Sequence, residues 1–455
     1  MKTTMIRGGT AVIGQTVSQQ DILIQGEKIV AIGQLASMDA DQTIDANGLL
    51  VLPGGVDTHV HFNDEFMGTV SVHDYYTGTL AAAFGGTTSV VDFSNQAQGA
   101  TLMSTLTNKF AEAEGKAIID YGVHPTITQP SEATLDEIPL MVEAGAPTIK
   151  CYMTYRAEGL LMEEPELRQI LTRLREAGGM LMVHAEDNDS AEKGIAHYLD
   201  NNLTAPIYHA LSKPIDVENL AIERCIDIAR DTGGRLFIVH LTTKEGVDLV
   251  GKARGEGVDI LAETCTHYLM YTDAVFEHPE ALKWVCSPPI RDQAAQDKLW
   301  QGVRDGRLVQ VTSDDAAYSW EATLMGKARF DLCPNGMPGI EPRFSLLYSE
   351  GVAKGRLSLP RFVELVATNP AHHYGFTEKG RLQPGLDADI VLLDPHATWT
   401  MGQATSHSCN DWHAYEGFEI TGKIEKVFSR GELIIDGDVC LAQKGRGRYV
   451  KRRLP

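Results

Sequence analysis

The pattern of apolar and polar positions divides the chain into a central α/β region and two flanking β regions. From residue 50 onward, short apolar runs alternate with windows in which apolar residues recur every three or four positions. The apolar runs predict eight strands, at 50–56, 87–93, 118–123, 148–153, 180–184, 236–240, 260–265 and 308–312. The windows between them predict helices, among them 74–84, 102–114, 163–177, 217–231 and 293–304. Because strands that alternate with helices run parallel, eight repeats predict an α/β fold built on a closed (β/α)8 barrel of TIM type; an open doubly wound sheet is the alternative.

Both flanking regions contain short strand-like segments that are separated by turn residues and lack a helical period. They lie at 21–26, 28–33 and 43–48 before the barrel and at 389–394, 420–428 and 432–435 after it. Because the two regions are alike, we expect them to pair into one small β-sandwich domain built from both termini. The predicted division is 1–49 for the first part of this domain, 50–380 for the catalytic barrel, and 381–455 for the second part with a basic tail.

Composition narrows the class of protein and its partners. A chain of 455 residues with 43% hydrophobic and 22% charged residues is typical of a globular protein with more than one core. No apolar run approaches the ~20 residues of a membrane span, and the start lacks a signal-peptide core, so we expect a cytoplasmic protein that needs no membrane. The net charge of -21 argues against nucleic acid as a partner. The basic tail at 444–453 is expected to dock on a neighbouring acidic surface, such as that of another subunit.

Seven cysteines without a CxxC spacing indicate neither a disulfide framework nor a structural zinc knot. The candidate chemistry lies instead in His59-Val60-His61, which follows an apolar run. Because side chains alternate along a strand, His59 and His61 point the same way and can reach one object. That object is either a metal ion or, in the alternative, a hydrogen-bonded core that contains both rings.

Further reactive side chains lie where later strands end. Lys150 lies within the fourth strand, His184 and His240 end the fifth and sixth, and Asp314 follows the eighth. Each alone has a structural explanation, but all of them would meet at the carboxyl end of a barrel, where active sites form. A desolvated lysine with a depressed pKa can add carbon dioxide and become a carbamate that bridges two divalent ions.

Such a pair of ions would lower the pKa of a bridging water and polarise a carbonyl oxygen. Asp314 could bind one ion and relay the water proton to the leaving nitrogen. The set therefore predicts hydrolysis of an amide-like bond.

At this point several motifs carry a family resemblance. They lie at 55–61, 66–72, 150–153, 183–186, 239–241 and 286–289. The chain resembles the hydantoinase and dihydropyrimidinase branch of the cyclic amidohydrolases over nearly its whole length. The resemblance implies a binuclear centre, usually of zinc, in a (β/α)8 barrel with a β-sandwich side domain, assembled as a homotetramer or possibly a dimer.

Residue by residue, the resemblance assigns two metal positions and a substrate site. The ligands of one metal would be His59, His61, carboxylated Lys150 and Asp314, and those of the other would be Lys150, His184 and His240. Asp314 and Tyr155 would be catalytic, with Tyr155 bonding the ring carbonyl as it becomes an oxyanion. Ser287 and Asn335 would bind the cyclic amide through backbone groups, and Phe66 lies in the loop that is expected to select the substrate.

Three departures from the family pattern bear on the substrate. Asp315 stands where the family commonly has histidine, which would place a carboxylate near the metals; a solvated or ion-paired loop residue is the alternative. The loop Asn63-Asp64-Glu65-Phe66 is more acidic than the usual apolar gate, and Arg156-Ala157-Glu158 after Tyr155 is also unusual. We expect the ring-opening reaction to be kept, with a shift in the preferred ring substituent or metal.

The predicted function is a metal-dependent hydrolase in which a metal-bridging hydroxide attacks a ring carbonyl of a hydantoin- or dihydropyrimidine-type amide. The alternatives among enzymes are an allantoinase-like or cyclic-imide hydrolase; a dihydroorotase is less favoured because no arginine and asparagine pair is evident to bind a ring carboxylate. From other classes, the alternatives are a non-catalytic dihydropyrimidinase-like scaffold and a protein that binds zinc without turnover. The scaffold is disfavoured because every ligand position is filled.

Overall fold

Eight parallel strands form a barrel in the computed structural model, which describes residues 2–455. Each strand pairs with the next one along the barrel, and the predicted barrel is thereby confirmed. In order, the strands are Gly55–Val60, Thr87–Asn95, Asp120–Thr126, Thr148–Tyr152, Met180–His184, Arg235–Ile238, Ile260–Cys265 and Gln310–Thr312. The first and last strands close the ring, because the His61 N–H donates to the Asp315 carbonyl at 2.9 Å.

The first predicted strand was wrong in extent. The segment 50–56 forms two strands, of which Leu50–Pro53 pairs with the C-terminal strand Ile390–Met401 outside the barrel. The break falls at Gly54, where a Cβ atom would lie 2.2 Å from the Thr88 hydroxyl oxygen, so only glycine lets the backbone cross there. The first barrel strand therefore starts later than predicted, and His59 lies on it rather than beyond its end.

The helices surround the barrel, and the five predicted windows are confirmed to within two residues at each end. Asp74, Thr101 and Asp292 cap three of them by accepting backbone N–H groups of the first turn. The helices are Tyr75–Phe84, Leu102–Ala113, Glu132–Glu143, Glu164–Ala177, Asn188–Asp200, Ile207–Leu211, Ile215–Thr232, Lys244–Gly255, Thr266–Met270, Gln293–Asp305, Trp320–Thr323, Pro342–Leu347, Leu359–Val363 and Asn369–His373.

Both termini contribute strands to one mixed sheet, which confirms the predicted β domain built from both ends of the chain. From the N-terminal part come Thr3–Ile13, Thr16–Gln25, Lys28–Gly33, Gln42–Asp45 and Leu50–Pro53, and from the C-terminal part Ile390–Met401, Phe418–Ser429, Glu432–Asp436 and Val439–Cys440. Apolar residues of both parts, such as Ile22, Val51 and Leu392, enclose a core separate from that of the barrel. The domain limits at 49/50 and 380/381 stay a prediction.

The basic tail docks on its own chain. Arg446 and Arg448 form ion pairs with Glu432 and Glu27, at 2.9 and 2.8 Å. Arg452 is buried beneath the barrel and donates to the Val123 carbonyl at 2.6 Å. The acidic surface expected for the tail is therefore supplied within the chain. Between residues 2 and 455, no helix has the length and apolar character needed to cross a membrane.

Candidate metal centre

One polar cavity opens at the carboxyl ends of the barrel strands. All ten site residues predicted from the sequence line it: His59, His61, Phe66, Lys150, Tyr155, His184, His240, Ser287, Asp314 and Asn335. They come from strands or loops that are far apart in the chain, and the barrel topology brings their side chains to one place.

Asp314 lies at the centre of the first group of candidate ligands. Its Oδ1 atom is 3.0 Å from His59 Nε2 and 3.6 Å from His61 Nε2. Burial alone would raise the pKa of Asp314, but the attraction of the neighbouring imidazoles holds it well below the usual range. Asp314 and His240 both have positive φ angles, of 50° and 40°, which non-glycine residues rarely adopt. Such strain is concentrated at functional sites, where the surrounding structure enforces it.

Carboxylates orient three of the histidines; those of Glu263 and Glu186 are buried, and that of Asp64 is half-buried. His59 Nδ1 is 2.6 Å from Glu263 Oε1, and His61 Nδ1 is 2.9 Å from Asp64 Oδ2. Each bond leaves Nε2 available on the side of Asp314, as in metal sites where a carboxylate fixes the ring of a ligating histidine. His184 instead uses Nε2 to bond Glu186, at 2.7 Å, so Nδ1 is its available nitrogen. Sequence reasoning missed Glu263 and Glu186, because nothing in their spacing distinguishes them from other carboxylates.

Lys150 is fully buried, and its Nζ atom has no hydrogen-bond partner among the described residues. The amine lies 5.0 Å from the centre of the Phe93 ring and 4.7 Å from that of Tyr152. Burial lowers the pKa of Lys150 to about 8. A minor part of the amine is therefore neutral at pH 7, and the neutral amine is the form that can react with carbon dioxide.

His184 and His240 differ from His61 in the direction in which the pKa is shifted. Burial lowers the pKa of His184 to about 4 and that of His240 well below the usual range, so both rings are neutral at pH 7. For His61, burial is outweighed by the carboxylates of Asp314 and Asp64, which raise its pKa to about 9. The field at this point therefore favours a positive charge, whether of a proton or of a metal ion.

The donor set fits a divalent cation. Within residues 2–455, His240 Nδ1 and Lys150 Nζ are buried without hydrogen-bond partners, although buried polar atoms are normally satisfied. Ligand atoms of His59, His240 and Asp314 lie within 4.8 Å of one another. Imidazole with carboxylate is a donor set typical of zinc and similar metals.

A second group, Cys265, His267 and Asp314, has the same spacing. Burial raises the pKa of the Cys265 thiol well above its usual value, which makes it a weaker candidate ligand. Sequence reasoning did not consider His267, the buried histidine of this group.

The substrate side of the cavity contains a connected set of polar side chains. The Asn335 amide donates to Tyr155 Oη at 3.3 Å and to Ser287 Oγ at 3.2 Å. Lys213, which sequence reasoning missed, donates to Ser287 Oγ at 2.5 Å and lies 3.6 Å from Glu186. The side chains of Ser287 and Asn335 are thus hydrogen-bonded to Lys213 and Tyr155. The backbone groups of Ser287 and Asn335 remain for binding the cyclic amide, the role predicted from the sequence.

Asp315 lies outside the residues that line the cavity. Its carboxylate is buried and pairs with His73, at 2.6 Å. Of the two sequence-based interpretations, the ion-paired loop residue agrees with this geometry, and a carboxylate that faces the metal ligands does not.

Comparison with known proteins agrees with the fold. Residues 50–434 match the Amidohydrolase family, and the chain belongs to it. A D-hydantoinase from Geobacillus stearothermophilus is 36% identical over 99% of this chain and 96% of its own length, and a D-phenylhydantoinase from Escherichia coli is 38% identical over 99% and 98%. The crystal structure of a dihydropyrimidinase from Brevibacillus agri superposes with a TM-score of 0.97 at 38% identity, covering 100% of this chain and 99% of that one. The resemblance inferred from the motifs is confirmed.

Proposed function

We propose that this chain is a metal-dependent hydrolase that opens a cyclic amide or ureide of the hydantoin or dihydropyrimidine type. The observation that carries the proposal is the convergence of His59, His61, Lys150, His184, His240 and Asp314 on one cavity. Membership of the amidohydrolase family implies a divalent metal centre. The similar proteins named above, which are hydantoinases and a dihydropyrimidinase, support the class of substrate.

We assign two metal positions, and zinc is the expected metal. His59, His61, carboxylated Lys150 and Asp314 would hold one ion, and Lys150, His184 and His240 the other. When bound, these ions would supply Lewis acidity toward a ring carbonyl and a lowered pKa for a water molecule. The neutral Lys150 amine would form the carbamate by adding carbon dioxide at Nζ with release of one proton, which gives the anionic bridge that an ammonium group cannot provide.

Asp314 would transfer the proton of the attacking water, and Tyr155 would stabilise the negative charge that develops on the ring carbonyl oxygen. Asp314, ionised at neutral pH, would accept a proton from the attacking water and deliver it to the ring nitrogen as the carbon–nitrogen bond breaks. Tyr155 would donate its hydroxyl proton in a hydrogen bond to the ring carbonyl oxygen as negative charge develops there. Burial raises the pKa of Tyr155, so the phenol remains protonated and able to donate.

The substrate would be held by the rest of the cavity wall. Backbone groups of Ser287 and Asn335 would bind the cyclic amide, with Phe66 as an apolar side wall. The Phe66 ring packs edge-on against Tyr155, with ring centres 5.0 Å apart. Allantoinase-like and cyclic-imide hydrolysis are the alternative activities, and a non-catalytic scaffold is the alternative from another class. We further propose a homotetramer or a dimer, and the predicted cytoplasmic location is kept as a prediction.

A substrate panel tests the proposal. Protein prepared with zinc and bicarbonate is assayed on hydantoin, dihydrouracil, allantoin and succinimide, with metal content measured on the same sample. We expect about two zinc ions per chain and opening of hydantoin or dihydrouracil. Turnover of allantoin alone would indicate an allantoinase-like enzyme, and turnover of succinimide alone would indicate a cyclic-imide hydrolase. Protein that holds both ions and opens none of the four would be a scaffold or a metal binder. Light scattering gives the number of chains per particle.

A further inference from the structure

The two acidic departures in the sequence meet at one pocket beside the metal centre. Glu65, in the loop after the first barrel strand, and Glu158, after Tyr155, both line a pocket of about 460 Å³, here called the outer pocket. Phe66, Asn95 and Leu160 line both this pocket and the metal cavity, so the two spaces adjoin. A substituent on a ring at the metal centre could therefore extend into the outer pocket.

The charge of the outer pocket is negative and uncompensated. Glu65 and Glu158 are exposed, and neither forms an ion pair with any residue between 2 and 455. Among residues 2–455, no lysine, arginine or histidine lines the pocket. The nearest basic residue along the chain, Arg156, is engaged elsewhere by Asp189 and Glu192, at 2.7 and 2.6 Å.

Asn95, which lines the junction between the outer pocket and the metal cavity, contains an unsatisfied hydrogen-bond acceptor. Asn95 uses its amide N–H to donate to Asp64 at 2.9 Å, while its Oδ1 atom is buried and has no partner in the described chain. A buried acceptor without a partner is costly, and a donor from a ligand would remove that cost.

The wall beyond Asn95 is preorganised and built from amides. Gln96 is buried, and its Oε1 atom accepts backbone N–H groups of Thr128 and Gln129, at 3.3 and 3.2 Å. The Gln129 side chain in turn accepts the Gly99 N–H at 3.0 Å. In the part of the chain that the structure describes, the large apolar side chains of the lining are Phe66 and Leu160, at the junction. An aromatic substituent would therefore find little apolar surface beyond the junction.

We propose that the outer pocket selects a cationic ring substituent, namely a flexible chain that ends in an ammonium or guanidinium group. The proposal rests on the proposed function, because the substituent is carried by the cyclic ureide bound at the metal centre. Its alkyl stem passes Phe66 and Leu160, its N–H groups are directed to the acceptors of the wall, and its charge lies near Glu65 and Glu158. A carboxylate at the same place would be repelled by both glutamates.

Three hydantoins of equal chain length test this selection. They carry 4-aminobutyl, pentyl or 4-carboxybutyl at ring position 5, and kcat/KM is measured for each. Two partly exposed ion pairs predict a preference of about five- to tenfold for the ammonium over the pentyl compound, and a larger one over the carboxylate. The preference should shrink at high ionic strength, since exposed charges are screened.

Matched variants assign the preference to the pocket. Glu65→Gln and Glu158→Gln should each reduce it about two- to threefold, and the double variant should abolish it, because each removes one exposed charge. Turnover of unsubstituted hydantoin should not change. Glu163→Gln is the control, since Glu163 is an exposed glutamate outside the pocket lining and five residues beyond Glu158.

The outcomes separate this proposal from the function it rests on. Equal or better turnover of the pentyl compound, or a preference that survives in the double variant, would overturn the outer-pocket proposal alone. If no hydantoin or dihydropyrimidine is opened, the proposed function fails. Calorimetric binding of the aminobutyl and pentyl compounds then tests separately whether the outer pocket prefers a cationic substituent. Tighter binding of the ammonium compound to the wild type, lost in the double variant, would support the pocket, and equal binding would overturn it.

Discussion

His73 and Asp315 form a buried ion pair that joins the loops following the first and last barrel strands. His73 Nδ1 lies 2.6 Å from Asp315 Oδ2, while Asp315 Oδ1 accepts backbone N–H groups of Gly339 and Ile340 at 2.8 and 3.1 Å. Burial opposes the charge on both groups, yet their attraction raises the pKa of His73 to about 10 and lowers that of Asp315. The candidate ligand Asp314 precedes this anchored carboxylate, so the pair positions it.

Removing one partner of this pair should destabilise the protein and weaken metal binding. Asp315→Asn removes the charge that keeps the buried His73 ring protonated, so the ion pair is lost, and we expect a loss of about 3–5 kcal/mol in the free energy of unfolding. Urea unfolding of the metal-free protein measures this loss, and zinc content after dialysis reports the position of Asp314. Reversing the pair, with His73→Asp and Asp315→His together, should recover little of either, because an imidazole at position 315 cannot accept both backbone N–H groups of Gly339 and Ile340. If the Asp315→Asn variant unfolds at the same urea concentration as the wild type, the ion pair contributes nothing to stability.

The barrel was predictable because its signal is repeated eight times along the chain. Each apolar run and each amphipathic window supports the same architecture, so an error in one does not change the fold. The first strand shows the limit, since 50–56 is apolar throughout and composition does not reveal where the chain passes from one sheet to the other. That transition depends on the close approach of Gly54 to Thr88, which is a tertiary contact.

The candidate ligands were predictable for a different reason. Strand ends are marked in the sequence, and the carboxyl ends of barrel strands meet at one face, so the residues that end several strands are expected to converge there. The groups that orient them were not predictable, because Glu263 and Lys213 act over separations of 204 and 74 residues. Asp315 illustrates the same point, since its sequence neighbour Asp314 lines the cavity while its own partner, His73, lies 242 positions away.

Lys150→Ala should abolish turnover and reduce bound metal while leaving the fold intact. The side chain makes no hydrogen bond to the described chain, so its loss removes the proposed carbamate bridge without breaking a structural network. Metal analysis and circular dichroism on one sample check both parts. Acetate or propionate should restore part of the activity by occupying the place of the carbamate. Full metal content and retained turnover in this variant would contradict the carbamate assignment.

Activation of metal-free protein should depend on pH through Lys150. Because burial lowers its pKa to about 8, the neutral amine is about 9% of the total at pH 7 and about 50% at pH 8. The neutral form increases as pH rises through this value, so at fixed dissolved carbon dioxide the activation rate should rise about fivefold between pH 7 and 8 and level off above pH 9. Activity recovered with time after addition of zinc and carbon dioxide measures the rate. A rate independent of pH would indicate a different bridging group.

Tyr155→Phe should lower kcat about 10²- to 10³-fold with little change in KM, because the lost hydroxyl acts on charge that develops only in the transition state. The ring itself is retained, so its edge contact with Phe66 is preserved. Steady-state kinetics on the best substrate of the panel gives both constants. Phe66→Leu serves as a control for packing and should affect KM more than kcat. A Tyr155→Phe variant that loses only substrate affinity would assign Tyr155 to binding.

Lys379 joins the barrel to the terminal sheet, and replacing it should be among the most destabilising changes outside the site. Its buried ammonium lies 2.9 Å from Asp120, in the third barrel strand, and 2.8 Å from Asp389, beside the terminal sheet. Lys379→Met would leave these carboxylates buried together without that charge, at a cost of about 3–5 kcal/mol. Lys28→Met is the matched control, because Lys28 pairs with Asp387 at 2.8 Å but is 36% exposed, and should cost less than about 1 kcal/mol. Urea unfolding measures the stability lost in each variant. Equally small losses in both would mean that Arg430, which also contacts Asp120 at 3.1 Å, is sufficient to stabilise the contact between barrel and terminal sheet.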